Sequence, residues 1–410
     1  MISTTRLDNG LTVIVEEMDH VESAAYDLLI PGGLIVDSDK SIGASIIAME
    51  LLGRGAGEYN SRELSDAFEE IGARHGEGAG LDKFALSGVL VADKLERALT
   101  LTSKMVLEPH LPEDEIGNIR SLMLQDIASL NDSPGRRAGV ELTRRYYPTP
   151  FNRSSMGEAE GLKATTRDTI VDIHSRFFRP DRAILSVAGK VKAQQVFALA
   201  EKLYGSWSGK AETTPTFTKL EPHDYFHIDS DSAQLQILFA SPSVPFGQPD
   251  YYAGKVAISL LGASMFGRLF IEVREKRGLC YSVYARHSSN KDYGTVTAYV
   301  GTTAERAQES LDVLLQQLRG LEGTVTEEEL SRAKVNLKAQ LILGEESPGS
   351  RAGSNATDWW LLGRLRPLAE ISEAIDVVNV EAIDGFLGKY PFSSYSLLTL
   401  GNRKLTLPTN

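Results

Sequence analysis

The chain holds a single cysteine, Cys280, among its 410 residues. No intrachain disulfide can form, and no cysteine cage for zinc exists. That economy suits a reducing compartment. Nowhere does the sequence approach the ~18 consecutive apolar residues that a membrane-spanning helix needs. The opening MISTTRLDNGLTVIVEE has no basic segment followed by an apolar core, so no secretory leader is read there. A cytoplasmic protein with no membrane role is expected. Positive charge is also scarce, with 43 Lys and Arg against 55 Asp and Glu and a net charge of -12. Phosphate recognition needs clustered Lys and Arg, so nucleic acid is excluded as a partner.

Familiar catalytic signatures are missing too. None of the seven histidines falls in an H-E-x-x-H or H-x-x-E-H frame. There is no G-x-S-x-G elbow, no G-x-x-x-x-G-K-[ST] loop and no C-x-x-C pair. His223 and His227 are four apart, but at a linker-to-strand junction where that spacing does not join side chains as on a helix. His75 sits in the glycine-rich GARHGEGAG and reads as a loop residue. GRGAG and GEGAG read as turns and close packing.

What is present is length, an ordinary 42% hydrophobic share, and a repeat. LPEDEIGNIRSLMLQDIASLNDSPGRRAG aligns without a gap on VTEEELSRAKVNLKAQLILGEESPGSRAG. Pro134, Gly135 and Arg137 match Pro348, Gly349 and Arg351, and 348 − 134 = 214 positions. Both copies are amphipathic helices with acidic starts. Ile116, Ile119, Met123, Ile127 and Leu130 make the apolar stripe of one, and Leu330, Ala333, Leu337 and Leu341 that of the other. Thr326 and Glu329 have capping-box spacing.

Each half opens with strand patterns (LTVIVEE and SAAYDLLI, then AQLQILFA), continues through helices to another strand (FALSGVLV, then GTVTAYVG), and closes on a strand (RAILSVAG, then SYSLLTLG). The polar, proline-bearing SGKAETTPTFTKLEPHD separates the halves. The expectation is an α+β fold of two homologous halves, residues 1–210 and 219–410, each a mixed or antiparallel sheet packed with helices.

Two stretches carry candidate chemistry. In GASIIAMELLGRGAG an apolar helix holds one acid, Glu50. In GASMFGRLFIEVREKRGLCYSVYARHSS an amphipathic helix, with Leu269, Phe270 and Val273 on one side, bears Arg274, Lys276 and Arg277. A break at Gly278 follows, then a strand starting with Tyr281 and Tyr284. Arg274 offers a forked donor and Tyr281 a phenol. Such a pair suits a peptide carbonyl or a carboxylate; a salt-bridged helix face is the alternative.

The second stretch resembles the hallmark R-L-F-x-E-V-R-E-K-R-G-L-x-Y-S-V of the pitrilysin-type, inverted-zincin metallopeptidases, in the processing-peptidase-like branch. The resemblance runs over nearly the whole chain, through LDNGLTVIVEE, GARHGEGAGLDKFALSGVLVADKLERALTLTSKMVLEPHLPEDEI and HSRFFRPDRAILSVAGKV. It implies a half-clamshell that closes a chamber with a second chain. It also implies a zinc helix G-x-x-H-x-x-E-H and a further glutamate downstream. Here Ile46 and Glu50 stand at the two histidine positions, Met49 at the general base and Asp126 at the last ligand. Ile46 has no lone pair, and the Met49 thioether is no base. Catalytic zinc takes three protein ligands, usually including histidine. At most the two acids suit a hard cation such as magnesium or calcium. Helical spacing puts Ile46, Met49 and Glu50 on adjoining turns, with Asp126 on the apolar face of its own helix beside Met123 and Ile127.

The family's Arg and Tyr at the places of Arg274 and Tyr281 face the zinc across the chamber and hold the substrate backbone. The resemblance therefore implies a non-catalytic subunit that binds no metal itself. It would lend Arg274 and Tyr281 to a zinc-bearing H-x-x-E-H partner acting on a peptide. Alternatives are a self-associating peptide-binding scaffold of the same fold and a peptidase with an altered metal centre.

Overall fold

The computed structural model describes residues 2–220, 222, 225–262 and 265–407. The first half runs β1 (Ile2–Arg6), β2 (Thr12–Glu17), β3 (Ser23–Pro31), α1 (Ala44–Leu52), a ribbon of β4 (Gly55–Ala56) and β5 (Tyr59–Asn60), α2 (Ser61–Glu70), β6 (Arg74–Ala79), β7 (Lys83–Val91), α3 (Leu95–Leu107), α4 (Glu113–Ala128), α5 (Pro134–Tyr146), α6 (Ala159–Ala164), α7 (Arg167–Phe177), β8 (Ile184–Gly189) and α8 (Ala193–Tyr204). The second runs β9 (Tyr225–Asp229), β10 (Gln234–Ser243), α9 (Tyr251–Gly262), a π-helical turn (Phe270–Glu275), β11 (Cys280–Ser289), β12 (Gly294–Thr303), α10 (Ala307–Arg319), α11 (Glu327–Gly344), α12 (Pro348–Leu362), α13 (Leu368–Asp376), α14 (Val380–Lys389) and β13 (Ser396–Gly401). The repeat is structural, since α4 and α11, and α5 and α12, each start 214 residues apart (327 − 113 and 348 − 134). No helix among the described residues is long and apolar enough to cross a membrane.

The chain forms two units, and each borrows a helix from the other half of the sequence. Unit 1 comprises the chain up to Ala128, Arg153–Thr216 and Gly344–Leu365. Its six-stranded sheet has the order β1-β2-β8-β3-β7-β6, antiparallel except for β2 against β8. One face packs on helices around Val13, Tyr26, Leu28, Ile47, Met49 and Phe84. The other is covered by α12, whose Ala352 and Ala356 lie against Ala25, Ala188, Ile14, Leu29 and Ile184. Small side chains at 352 and 356 let this helix sit close on the strands. Pro348 at the first turn, the Ser347 cap and left-handed Gly363 set its ends.

Unit 2 comprises Ser129–Asn152, Phe217–Leu343 and the chain from Arg366. Its five-stranded sheet has the order β11-β12-β10-β13-β9, with only β13 and β9 parallel. The core side gathers Ile237, Phe239, Val256, Leu314 and Phe386. The opposite face receives α5 through Ala138, Leu142 and Tyr146. The division expected at 1–210 and 219–410 contains no such exchange: α5 belongs with the second sheet, and α12 with the first.

The Thr326–Glu329 capping box forms: Glu329 N–H donates to the Thr326 hydroxyl at 3.3 Å, and Thr326 N–H to Glu329 Oε2 at 3.1 Å. His75 is in strand β6 rather than in a loop; its glycine neighbours hide a strand that hydrogen-bonds to β7 throughout. His223 lies outside the described residues. His227 is held in β9 with Nδ1 2.9 Å from Thr399 Oγ1 and Nε2 3.1 Å from Asp229 Oδ1. Both ring nitrogens are engaged, so it serves as a pin between strands.

Candidate functional site

The first candidate region surrounds α1. Seven of its nine residues are buried, as in a helix that is apolar on nearly every side. Its amino end is fixed by a buried carboxylate. Asp37 accepts from Gly43 N–H at 2.7 Å and Ser45 N–H at 2.9 Å, with the Ser45 hydroxyl at 2.6 Å. Burial nevertheless raises the Asp37 pKa above the usual aspartate value.

Ile46 and Glu50 face outward into a cleft of about 270 Å³, with Asp126 of α4 and Arg54, Met123 and Met156 also on its walls. The cleft brings Glu50 and Asp126 to one place. One expectation is corrected here. Met49 does not share the face of Ile46 and Glu50: it is 1% exposed and points into the core, because the helix is buried on that side as well. Asp126 is exposed and lines the cleft together with Ile119, Leu122 and Met123 of its own helix.

Glu50 is titrated upward by burial and then by the charge of Glu77, while Arg54 opposes both. Glu77 arrives from β6. A Cβ at residue 53 would sit 2.7 Å from its Oε1, so Gly53 is what admits the carboxyl. Glu77 and Arg54 are thus site residues that the motif comparison does not mark. Arg54 lies four positions after Glu50, a spacing that helical geometry makes readable. Glu77 carries no comparable signal.

These residues do not fit zinc. Ile46 offers no donor, Met49 is buried away from the cleft, and two carboxylates do not make a three-ligand catalytic set. Among the described residues no group of three or more His, Cys, Asp or Glu is placed to hold a metal ion.

The second region is the turn between α9 and β11. The expected amphipathic helix is a π-helical turn over Phe270–Glu275, with Lys276 N–H bonded to Ile271 O at 2.9 Å and Leu279 N–H to Val273 O at 2.9 Å. Such turns widen a helix and re-aim its side chains. Leu269 and Val273 anchor it in the core at 0% exposure. Arg268 pins its start, donating to both Glu329 oxygens at 2.8 Å. That fork holds the Glu329 carboxyl down to about 2.

Of the three basic residues, two are spent locally. Glu272 accepts from Lys276 and from Arg277, each at 2.6 Å. Arg274 has no acidic partner among the described residues. Its guanidinium instead lies 4.9 Å from the Phe270 ring centroid and 5.2 Å from that of Tyr281.

Left-handed Gly278, φ +61°, closes the turn. β11 then begins with a bulge: Cys280 pairs with Thr302 and Ser282 with Gly301, leaving Tyr281 without a partner in the register. Tyr281 is accordingly 83% exposed. Beside it, burial raises the Cys280 thiol to about 11 against the pull of Arg274, so it is no ready nucleophile. An open guanidinium and an exposed phenol, 5.2 Å from guanidinium carbon to ring centroid, make a donor pair suited to carbonyl or carboxylate oxygens.

The model of the peptidase M16 inactive domain matches residues 164–337. The chain is 26% identical over 404 residues to an uncharacterized zinc protease of Bacillus subtilis, YmxG, covering 97% of both. It is 24% identical to an uncharacterized zinc protease of Rickettsia felis, covering 93% of this chain and 92% of that one. Its fold matches a peptidase M16 inactive domain from Pseudomonas fluorescens with a TM-score of 0.88, 23% identity and 100% of each chain covered. A protease from Helicobacter pylori matches with a TM-score of 0.89 at 20% identity, covering 98% and 99%. Over nearly its whole length the chain is thus similar to proteins named zinc proteases and shares the fold of a peptidase M16 inactive domain, whose model matches residues 164–337, and it carries no H-x-x-E-H motif.

Proposed function

We propose that this chain is the non-catalytic subunit of a heterodimeric M16 peptidase. It binds no metal of its own; a family partner bearing H-x-x-E-H carries the zinc. This chain contributes Arg274 and Tyr281, which hold the peptide backbone and stabilise negative charge developing on the scissile carbonyl oxygen. The observation that carries the reading is selective retention. Among the described residues Arg274 has no acidic partner and is flanked by Phe270 and Tyr281, while Lys276 and Arg277 are neutralised by Glu272. The α1 cleft has meanwhile lost its donor set. A reducing, cytoplasmic setting is part of the reading, supported by the lone cysteine.

The test mixes the purified chain with an H-x-x-E-H family subunit and follows peptide cleavage, complex formation and metal content. The chain alone should hold no stoichiometric zinc and cleave nothing, and the mixture should cleave. Arg274→Ala should slow the mixture about 10²-fold, with the complex intact by gel filtration. Wild-type cleavage by the Arg274→Ala mixture would end the reading. A chain that pairs only with itself would favour a peptide-binding scaffold.

A further inference from the structure

Among the described residues β11 is the outer strand of the unit 2 sheet and pairs only with β12. Its sequence, CYSVYARHSS, contains no proline to block its free side. An open edge presents unpaired N–H and C=O groups to any extended chain. Val283 and Ala285 turn toward the core. Tyr284 and Arg286 belong to the opposite face by alternation. There the Arg286 guanidinium lies 4.3 Å from the Tyr284 ring centroid, and Tyr284 stacks on Tyr299 at 5.1 Å and 22°. Tyr299 is fixed in turn by donating to Gln236 Oε1 at 2.6 Å. Arg286 is therefore a guanidinium on a rigid aromatic base.

The charges at this edge indicate what it takes. The chain has 55 acidic against 43 basic residues, so an unpaired arginine runs against its overall balance. Yet Arg274, beside the first residues of β11, and Arg286, farther along it, are both exposed and both without an acidic partner among the described residues. The geometry points to the free edge of β11 as the docking strand for an extended, acidic peptide segment. The peptide's backbone adds to the sheet, and its carboxylates meet Arg286 and Arg274. This names a substrate class for the Arg274 and Tyr281 element. It rests on that element's reading as a peptide contact but requires no zinc partner.

The experiment uses the full chain alone and a fluorescently labelled peptide of alternating glutamate and valine, read by anisotropy. Binding should weaken about tenfold in Arg286→Ala and fall with added salt. It should vanish for a peptide N-methylated at alternate residues, which cannot add to an edge. Circular dichroism verifies the fold of the variant; should Arg286→Ala not fold, Arg286→Lys keeps the charge, loses the fork and should weaken binding. Three results would each overturn the proposal: equal binding of a lysine–valine peptide, unchanged binding by the folded arginine variant, or a self-dimer in sedimentation that Arg286→Glu disperses. Peptide binding that survives while the two-subunit mixture fails to cleave would count against the heterodimer alone.

Discussion

Arg351 on α12 donates from Nε to Glu16 Oε2 on β2 at 2.7 Å, and Asn355, one turn along, donates to the same oxygen at 2.7 Å. The arginine also meets Glu345. This polar lock ties the borrowed helix to the unit 1 sheet, across 351 − 16 = 335 positions of sequence. Both side chains are largely buried, with exposures of 7% for Arg351 and 16% for Glu16.

Arg351 is the shared cation of two acids, so removing it strands both. Arg351→Met is expected to cost about 3–5 kcal/mol, whereas Glu16→Ala, which leaves the arginine its Glu345 contact, costs less. Urea denaturation of Glu16→Ala and Arg351→Met measures this. A loss for Arg351→Met no larger than for Glu16→Ala would refute the shared lock.

A second buried acid on this sheet sets a pH dependence. Asp27 of β3 is raised to about 6 by burial, against the pull of Lys83. Its Oδ1 and the hydroxyl of Ser186, its register partner on β8, are both buried and have no hydrogen-bond partner among the described residues. The folded chain thus retains a proton that an unfolded aspartate, with a pKa near ~4, gives up. Stability from this group is complete below about pH 4 and is lost as pH rises through about 6. Asp27→Asn should raise the melting temperature at neutral pH and flatten its slope across that window. Thermal melts of both proteins check this, and an unchanged slope would show that another group is responsible.

The α1 cleft makes metal binding an engineering test. Ile46→His with Glu50→His puts two imidazoles at i, i+4 on the face that already lines the cleft with Asp126. Zinc should raise the melting temperature of this variant by mass action and leave the wild type unmoved. A zinc-dependent shift in the wild type would contradict the assignment of the cleft as a non-zinc site.

The sequence makes some of this readable because the determinants are local. The apolar runs of β2 and β3, the Thr326–Glu329 box and the S-P-G-x-R-A repeat lie within a few residues of the structure they specify. β6 is disguised because glycines dilute the alternation that marks a strand, and only its ladder to β7 reveals it. The π-helical turn has no composition of its own; it follows from Leu269 and Val273 both reaching the core while Arg268 is held by Glu329. Asp37 caps α1 from six and eight residues away, and Glu77 acts on Glu50 of α1 from strand β6. Arg274, Lys276 and Arg277 read alike in the sequence; only the Glu272 pairs of Lys276 and Arg277 set Arg274 apart.

The exchanged helices also order events during synthesis. The first sheet has its last strand once β8 is made, yet the helix that covers its second face ends only at Leu362. Until then Ile14, Leu29 and Ile184, nearly fully buried in the finished fold, lack their cover. A nascent chain of this protein therefore carries an exposed apolar sheet face from the completion of β8 at Gly189 until α12 is made, an interval of 362 − 189 = 173 residues. Cutting the gene between the halves would leave unit 1 permanently in that state.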